Sequence, residues 1–212
     1  WQDYTNAFTV TSNATIYFRA KNATGNEVTS QIKVNNIDKV KPTLKVSGNP
    51  IQWINADVTL TATVSDGYVE FFNGKEWVAG AEHTVSDNGT YKFRVTDISG
   101  NIAEQTVVVD KIDKIAPTLE ISGNAADWTN KDVVLSAKAS DGTIEYYNGS
   151  SWVAGDSIPA VENGTYTFRV TDAAGNVTEK SVTVDKIDKT APFVICHRVD
   201  REISARDVLL DR

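Results

Sequence analysis

The sequence contains few of the residues on which catalysis, disulfide bonding and membrane insertion depend. Its 212 residues include one cysteine, two histidines and no methionine. Because Cys196 is alone, no disulfide can form within the chain, although this does not decide the redox compartment. No apolar run approaches the ~20 residues of a membrane-spanning helix, so we expect no membrane insertion of this segment. Since the chain starts at Trp1 and lacks methionine, we expect it to be part of a longer protein.

Positive charge is also scarce. The chain has 21 Lys and Arg against 28 Asp and Glu, which gives a net charge of −7. Phosphate groups and anionic lipids are bound through basic patches, and no stretch rich in Lys and Arg occurs here. The sequence therefore argues against nucleic-acid binding and against docking on a membrane surface. Charged residues at 23% and hydrophobic residues at 41% are typical of a folded globular chain.

The most informative feature is an internal repeat. Pro42, Pro117 and Pro192 are 75 residues apart, and residues 42–116 agree with residues 117–191 at 42 of 75 positions without a gap. Such a fixed period indicates copies of one structural unit. It predicts the C-terminal part of a truncated repeat at 1–41, complete repeats at 42–116 and 117–191, and at 192–212 either the divergent start of a further repeat or an unrelated tail.

Within each repeat, apolar and polar residues alternate. In the stretch 57–65, Val58, Leu60 and Ala62 alternate with threonines, which is typical of a strand with one face on a core. Asn73-Gly74 and Asn148-Gly149 separate short apolar runs and predict hairpins. Each repeat holds about six or seven such runs and no helical stripe, so the sequence predicts an all-β chain of tandem antiparallel β-sandwiches.

A tyrosine after a glycine turn refines this prediction. Tyr91 and Tyr166 follow Asn-Gly-Thr at the start of a predicted strand, the position of the tyrosine corner in immunoglobulin-like sandwiches. Two residues later, where antibody domains have a cysteine, this chain has Phe93 and Phe168. We therefore expect immunoglobulin-like units in which core packing replaces the inter-sheet disulfide.

The motifs at the repeat ends point to a family. The linker Asp-Lys-x-Ala-Pro occurs at 113–117 and 188–192, and the loop Thr-Asp-x-Ala-Gly-Asn occurs at 171–176. With these motifs the chain resembles the bacterial Ig-like repeats of large surface and secreted proteins of the adhesin type. The resemblance covers residues 16–191 and is weak after Pro192. It implies stalks, spacers or adhesive modules, or domains that flank the catalytic part of secreted enzymes, so the fold alone does not choose the function.

Catalytic motifs are missing from the sequence. No phosphate-binding glycine loop, zinc-ligand spacing or nucleophile elbow occurs. His83 is replaced by Ile158 in the other repeat, so any role of His83 would belong to one unit only, and we expect it to be an exposed loop residue. Cys196 and His197 are adjacent, and neighbours on a strand point to opposite faces, so they would not meet as nucleophile and base. The sequence therefore predicts that the protein is not an enzyme.

Four tryptophans follow the same period. Trp53 and Trp128 precede the second predicted strand, and Trp77 and Trp152 follow the predicted hairpin. If they are exposed they could bind sugar. The alternative, which we expect, is that they cap the two ends of the core, because aromatic side chains provide much of the burial in a small sandwich.

Carboxylates give the sharpest hypothesis about a site. In an immunoglobulin-like unit the N-terminal linker lies at the same end as two loops that carry aspartates here. The aspartates expected to gather are Asp110, Asp113, Asp141 and Asp172 at one repeat junction and Asp38, Asp66 and Asp97 at the previous one. Oxygen ligands from several loops suit Ca²⁺, which would stiffen the linker. The alternative is that the loop aspartates are turn residues bonding their own backbone and that lysines neutralise the linker.

The resemblance and the absence of catalytic motifs together predict a non-catalytic, extracellular segment. It would act as a stalk that projects another domain from a bacterial cell surface, with neighbouring repeats of the same chain as its first partners. One alternative is an adhesive or carbohydrate-binding module that touches a host protein or a glycan. The other is an accessory segment of a secreted hydrolase.

Overall fold

The structure is a computed structural model and describes residues 1–3 and 6–194. Within this range every regular element is a β-strand, and the strands form several antiparallel sheets. No helix of the described residues is long and apolar enough to cross a membrane. The chain divides into two compact units. Unit 1 comprises residues 1–52 and 56–112, and unit 2 comprises residues 53–55 and 113–212.

Unit 1 contains a two-stranded sheet, a three-stranded sheet and a four-stranded sheet. Its strands are β1 (Ala14–Lys21), β2 (Glu27–Val34), β3 (Leu44–Ser47), β4 (Val58–Val64), β5 (Tyr68–Phe72), β6 (Trp77–Ala79), β7 (Glu82–Val85), β8 (Gly89–Thr96) and β9 (Ile102–Val109). The sheet orders are β1-β2, β3-β4-β7 and β6-β5-β8-β9. Residues 1–41 thus contribute one antiparallel hairpin, with Ala14 opposite Val34 and Lys21 opposite Glu27.

Unit 2 contains one three-stranded and one four-stranded sheet. Its strands are β10 (Leu119–Ser122), β11 (Val133–Ala139), β12 (Thr143–Tyr147), β13 (Trp152–Ala154), β14 (Ser157–Ala160), β15 (Gly164–Thr171) and β16 (Val177–Val184). The sheet orders are β10-β11-β14 and β13-β12-β15-β16. Each of these strands begins and ends 75 residues after its counterpart in β3 to β9, and the two sheet orders are the same.

Both sheets of unit 2 contribute to one hydrophobic core. Leu135 from the three-stranded sheet and Phe168 and Val170 from the four-stranded sheet are fully buried in one cluster. On each strand, the residues next to these core positions point to the outer face of the sheet and are more exposed, since successive side chains of a strand alternate. This arrangement is consistent with a β-sandwich. Unit 1 buries Leu60, Phe93 and Val95 to the same degree at the corresponding positions.

Several local predictions are confirmed. The alternating stretch at 57–65 forms β4, and the two Asn-Gly pairs lie in the hairpins β5-β6 and β12-β13. The hydroxyl of Tyr91 donates a hydrogen bond of 2.7 Å to the carbonyl of Asp87, and that of Tyr166 donates one of 2.8 Å to the carbonyl of Glu162. A tyrosine hydroxyl bonded to backbone a few residues upstream is the geometry of a tyrosine corner.

The division into units places the boundary inside the predicted linker. It falls between Ile112 and Asp113, four residues before the predicted start of the second complete repeat at Pro117. Residues 195–212, with Cys196 and His197, lie outside the described residues, so the predictions made for them stay predictions.

Candidate functional site

Three of the predicted carboxylates line one pocket of unit 2. The pocket has a volume of about 400 Å³, and its lining residues are Trp53, Asp113, Asp141, Gly142, Thr143, Thr171, Asp172, Ala173 and Ala174. Asp141 and Gly142 connect β11 to β12, and residues 172–174 follow β15. Asp113, Asp141 and Asp172, which are expected from the sequence to gather, therefore line one surface. Asp110, which was expected to join them, is exposed and does not line the pocket.

A glycine fixes the approach of the two loops. Gly142 has φ +84°, and a Cβ atom built on it would lie 2.5 Å from the carbonyl oxygen of Thr171. Only glycine combines this left-handed backbone with so close a contact. Gly142 therefore holds the loop that carries Asp141 against the end of β15, directly before Asp172.

The carboxylate of Asp172 organises its own loop. Its Oδ1 accepts hydrogen bonds of 2.8 Å from the backbone N–H groups of Ala174 and Asn176, and its Oδ2 accepts one of 2.8 Å from Nδ2 of Asn176. Burial raises the pKa of Asp172, but the hydrogen bonds from Asn176 and the loop backbone outweigh it, so that the pKa is lowered overall. A half-buried aspartate bonded in this way stabilises the turn as an anion.

Asp97 does the same in unit 1, where it is 4% exposed. It accepts hydrogen bonds from the backbone of Ser99 and Asn101 and from the Asn101 side chain, at 2.8 to 2.9 Å. The side-chain bond from Asn101 is the main cause that lowers the pKa of Asp97. These contacts are the ones that the turn-residue interpretation of the loop aspartates requires.

The linker aspartates also bond backbone. Oδ1 of Asp38, Asp113 and Asp188 accepts a hydrogen bond of 2.9 to 3.0 Å from the N–H group two residues later. Such contacts define an Asx turn. In addition, Nδ2 of Asn101 lies 3.3 Å from the carbonyl of Asp38, and Nδ2 of Asn176 lies 2.9 Å from the carbonyl of Asp113. The asparagine that ends the loop motif thus binds the aspartate that begins the linker motif.

The calcium hypothesis gains no direct support from this geometry. Of the predicted ligands, Asp66 is exposed and accepts a hydrogen bond from the Ser65 hydroxyl. In the part of the chain that the structure describes, no group of three or more His, Cys, Asp or Glu side chains is arranged to hold a metal ion. Asp113, Asp141 and Asp172 line the same pocket but do not form a metal-binding group. The calcium site therefore stays a prediction.

A second asparagine position was not anticipated from the sequence. The side chain of Asn163, which follows β14, accepts a hydrogen bond of 2.8 Å from the N–H of Ile187 and donates one of 2.9 Å to its carbonyl. Asn88 makes the same pair of bonds, both 2.8 Å, with Ile112. Ile112 and Ile187 are themselves buried at 6% and 7% exposure. The amide therefore satisfies both backbone groups of a buried linker residue.

The prediction that the tryptophans cap the core is wrong. Phe71 of β5 contacts the buried Phe93, so its neighbour Phe72 points to the outer face, and Trp77 lies opposite Phe72. The guanidinium of Arg94 lies 4.4 Å above the Trp77 ring. Trp53 and Trp128 are 46% and 70% exposed. For Trp77 and Trp152, strand register decides which face of the sheet the side chain occupies, and the spacing of the tryptophans does not reveal the register.

Each outer tryptophan belongs to a three-residue group of aromatic ring, guanidinium and carboxylate. In unit 1, the Arg94 guanidinium that lies over the Trp77 ring also has its Nε 2.6 Å from Oε2 of Glu70. In unit 2 the distance from Arg169 to Glu145 is 2.7 Å, and the guanidinium lies 4.3 Å from the ring of Trp152. Cation–π contact and ion pairing together hold the arginine flat on the sheet.

The expected position of His83 is also wrong. It lies on β7, opposite the fully buried Leu60, and is partly buried rather than exposed in a loop. The isoleucine at the same place in the other unit was the sequence signal for an inward-facing position. Among the described residues His83 is the one histidine and there is no cysteine, because Cys196 and His197 lie outside that range.

Comparison with known proteins does not assign the chain. No protein-family model matches it, and no curated protein matches it either.

Proposed function

We propose that this chain is a non-catalytic segment of immunoglobulin-like repeats that acts as a spacer in a bacterial cell-surface protein of the adhesin type. The observation that carries the proposal is that two units with one strand order recur at a 75-residue spacing. Their linker residues are held by side-chain amides. In a spacer, each folded unit adds a fixed length to the distance between the domains that it separates.

The strand order supports an immunoglobulin-like topology. In the letters used for that fold, β3-β4-β7 and β10-β11-β14 correspond to A-B-E, and the four-stranded sheets correspond to C′-C-F-G. The tyrosine that starts the F-like strand bonds the turn before it in both units. Phe93 and Phe168, both fully buried, occupy the place of the inter-sheet cysteine.

The linker contacts support a spacer. Ile187 is bound on both backbone groups by Asn163, while the N–H of Asp188 and the N–H of Thr129 each bond backbone across the end of unit 2. Backbone tied in this way has little freedom to bend or to peel from its sandwich. The pattern favours transmission of load through the unit, and it needs no bound ligand.

An adhesive or carbohydrate-binding module is the second candidate, and exposed aromatic surface favours it. Trp128 is 70% exposed and Trp53 is 46% exposed, while Trp77 and Trp152 lie on outer sheet faces. Aromatic rings at a protein surface provide area for binding at low entropic cost. Accessory domains of a secreted hydrolase are the third candidate. A catalytic domain encoded in the same gene would support it.

A binding screen separates a spacer from an adhesive module. The full chain is applied to arrays of glycans and of host surface proteins, and its tryptophan fluorescence is followed during titration with each hit. As a spacer the chain gives no saturable binding and no spectral shift. Saturable binding that is lost in Trp77→Ala plus Trp152→Ala, but kept in Val134→Ala at an exposed strand position, would establish the adhesive module instead.

Calcium is tested separately by thermal unfolding in millimolar Ca²⁺ and then in excess chelator. Because Asp172 and Asp97 already bond their own loops, we expect the melting temperature to stay within about 1 °C. A rise of several degrees, abolished by Asp113→Ala plus Asp172→Ala, would establish an ion site at the pocket and a calcium-stiffened spacer.

A further inference from the structure

His83 lies between the two sheets of unit 1. Its ring stacks on Phe71 of β5, with centroids 4.2 Å apart and planes 22° apart, and it is tilted against Tyr91 of β8 at 5.6 Å. On the three-stranded sheet its register partner is Leu60, which is fully buried. An imidazole is thus part of the packing that joins the sheets, at a place where burial lowers its pKa.

Unit 2 has an aliphatic side chain in place of the imidazole. Ile158 of β14 lies opposite Leu135, and both are part of the core or packed against it. Tyr146 and Tyr166 replace Phe71 and Tyr91 around it. The two units therefore share a topology, and they differ here in whether the packing contains a base that becomes charged on acidification.

The groups that face His83 are mainly uncharged at neutral pH. β4 contributes Leu60 and β5 contributes Phe71, while β8 contributes the phenol of Tyr91, whose hydroxyl bonds the carbonyl of Asp87. The pKa of Tyr91 is raised by burial and then by the charge of Asp87. On its own strand, Glu82 and Thr84 alternate to the other face. Asp87 is thus the carboxylate at this corner, and its charge acts on Tyr91, whereas burial is what lowers the pKa of His83.

We propose that unit 1 is acid-sensitive and that unit 2 is not, because protonation of His83 places a charge between the sheets of unit 1. The folded state binds the proton less readily than the unfolded chain does. Stability is therefore complete well above the unfolded value of 6.5 and falls as the pH drops through it. Asp97 and Asp172, whose pKa values are lowered, remain ionised at pH 5 and do not contribute.

This asymmetry would let one unit open before the other in an acidic environment, whichever of the candidate functions is right. It does not depend on a spacer role, since it rests on the packing of unit 1 alone. Its cause is local, and a single substitution to the residue of the other unit removes it.

The test is amide hydrogen exchange of the full chain at pH 7.5 and pH 5.0, expressed as protection factors. The protection factors of core amides in β15 of unit 2 serve as the internal reference for those in β8 of unit 1, because the two strands are counterparts. We expect protection in β8 to fall at least about twofold relative to β15 on acidification. His83→Ile should abolish the difference, and Ile158→His should move it to β15.

Equal changes in both units, or a difference that persists in His83→Ile, would overturn the proposal. The isoleucine variant carries the side chain that unit 2 already accommodates. If Ile158→His does not fold, the comparison of the wild-type chain with His83→Ile still decides between the two results.

Discussion

Phe168→Ala is expected to lower the free energy of unfolding of unit 2 by about 3–5 kcal/mol. The ring is fully buried in the cluster shared by the two sheets, and it lies 6.5 Å from the ring of Tyr146 in an edge-on contact. Truncation removes its burial and leaves a cavity that rigid strands cannot close. Since 75 residues support a total stability on the order of 4–11 kcal/mol, the substitution removes a large share of the stability of unit 2, and at the low end of that range it unfolds the unit.

Urea unfolding of the full chain, followed by nuclear magnetic resonance signals of each unit, measures this loss. Phe93→Ala is the matched change in unit 1 and should affect that unit to the same extent, because Phe93 is equally buried. Val134→Ala, at a position 56% exposed on β11, should change stability by less than about 0.5 kcal/mol. A loss below about 1 kcal/mol for Phe168→Ala would mean that the two sheets do not share this core.

Asn163→Ala is expected to cost unit 2 about 2–4 kcal/mol. The substitution removes both hydrogen bonds to Ile187, whose backbone is buried. A buried N–H or C=O left without a partner costs about 1–3 kcal/mol. The linker end should also lose its protection from hydrogen exchange, because the amide is what holds it to the unit.

Two variants control this measurement. Asn163→Asp keeps the acceptor but loses the donor and sets a carboxylate against the carbonyl of Ile187, so it should be about as damaging as alanine. Asn148→Ala changes an exposed hairpin asparagine that bonds only its own turn, at Ser150 and Ser151. It should cost about 1 kcal/mol or less. Equal effects at Asn148 and Asn163 would exclude a special role for the linker contact.

Periodicity predicted most of the fold because it reports on burial directly. The alternation at 57–65 became β4, and the buried Phe93 and Phe168 follow the tyrosines as expected. The prediction for His83 failed because the comparison with Ile158 was used only to ask whether the two repeats share a function, and not to ask which face of the strand the residue occupies. Ile158 in the other copy has the same backbone position, and its apolar side chain was the better guide to which face the residue occupies.

For the candidate site, the sequence indicates which loops approach one another, but it does not give the residue at which a strand ends. Asp113, Asp141 and Asp172 lie in loops and meet in one pocket. Asp110 directly follows the end of β9 and is exposed beyond it.

The asparagine contacts were missed for a different reason. Asn163 precedes a glycine and reads as a turn residue, whereas its partner Ile187 lies 24 residues away. The positions of Trp77 and Trp152 were missed because spacing alone does not say which face of a sheet a side chain occupies.

The most direct test of the spacer proposal is to pull the full chain from its two ends in a single-molecule force experiment. Two separate unfolding events are expected. Each should release slightly less than roughly 250–270 Å, the extended length of 75 residues at about 3.3–3.6 Å per residue. Events of this size that disappear one at a time in Phe93→Ala and Phe168→Ala would assign one to each unit. A single event that releases the whole chain, or extension without any force peak, would contradict two autonomous units that carry load as a spacer.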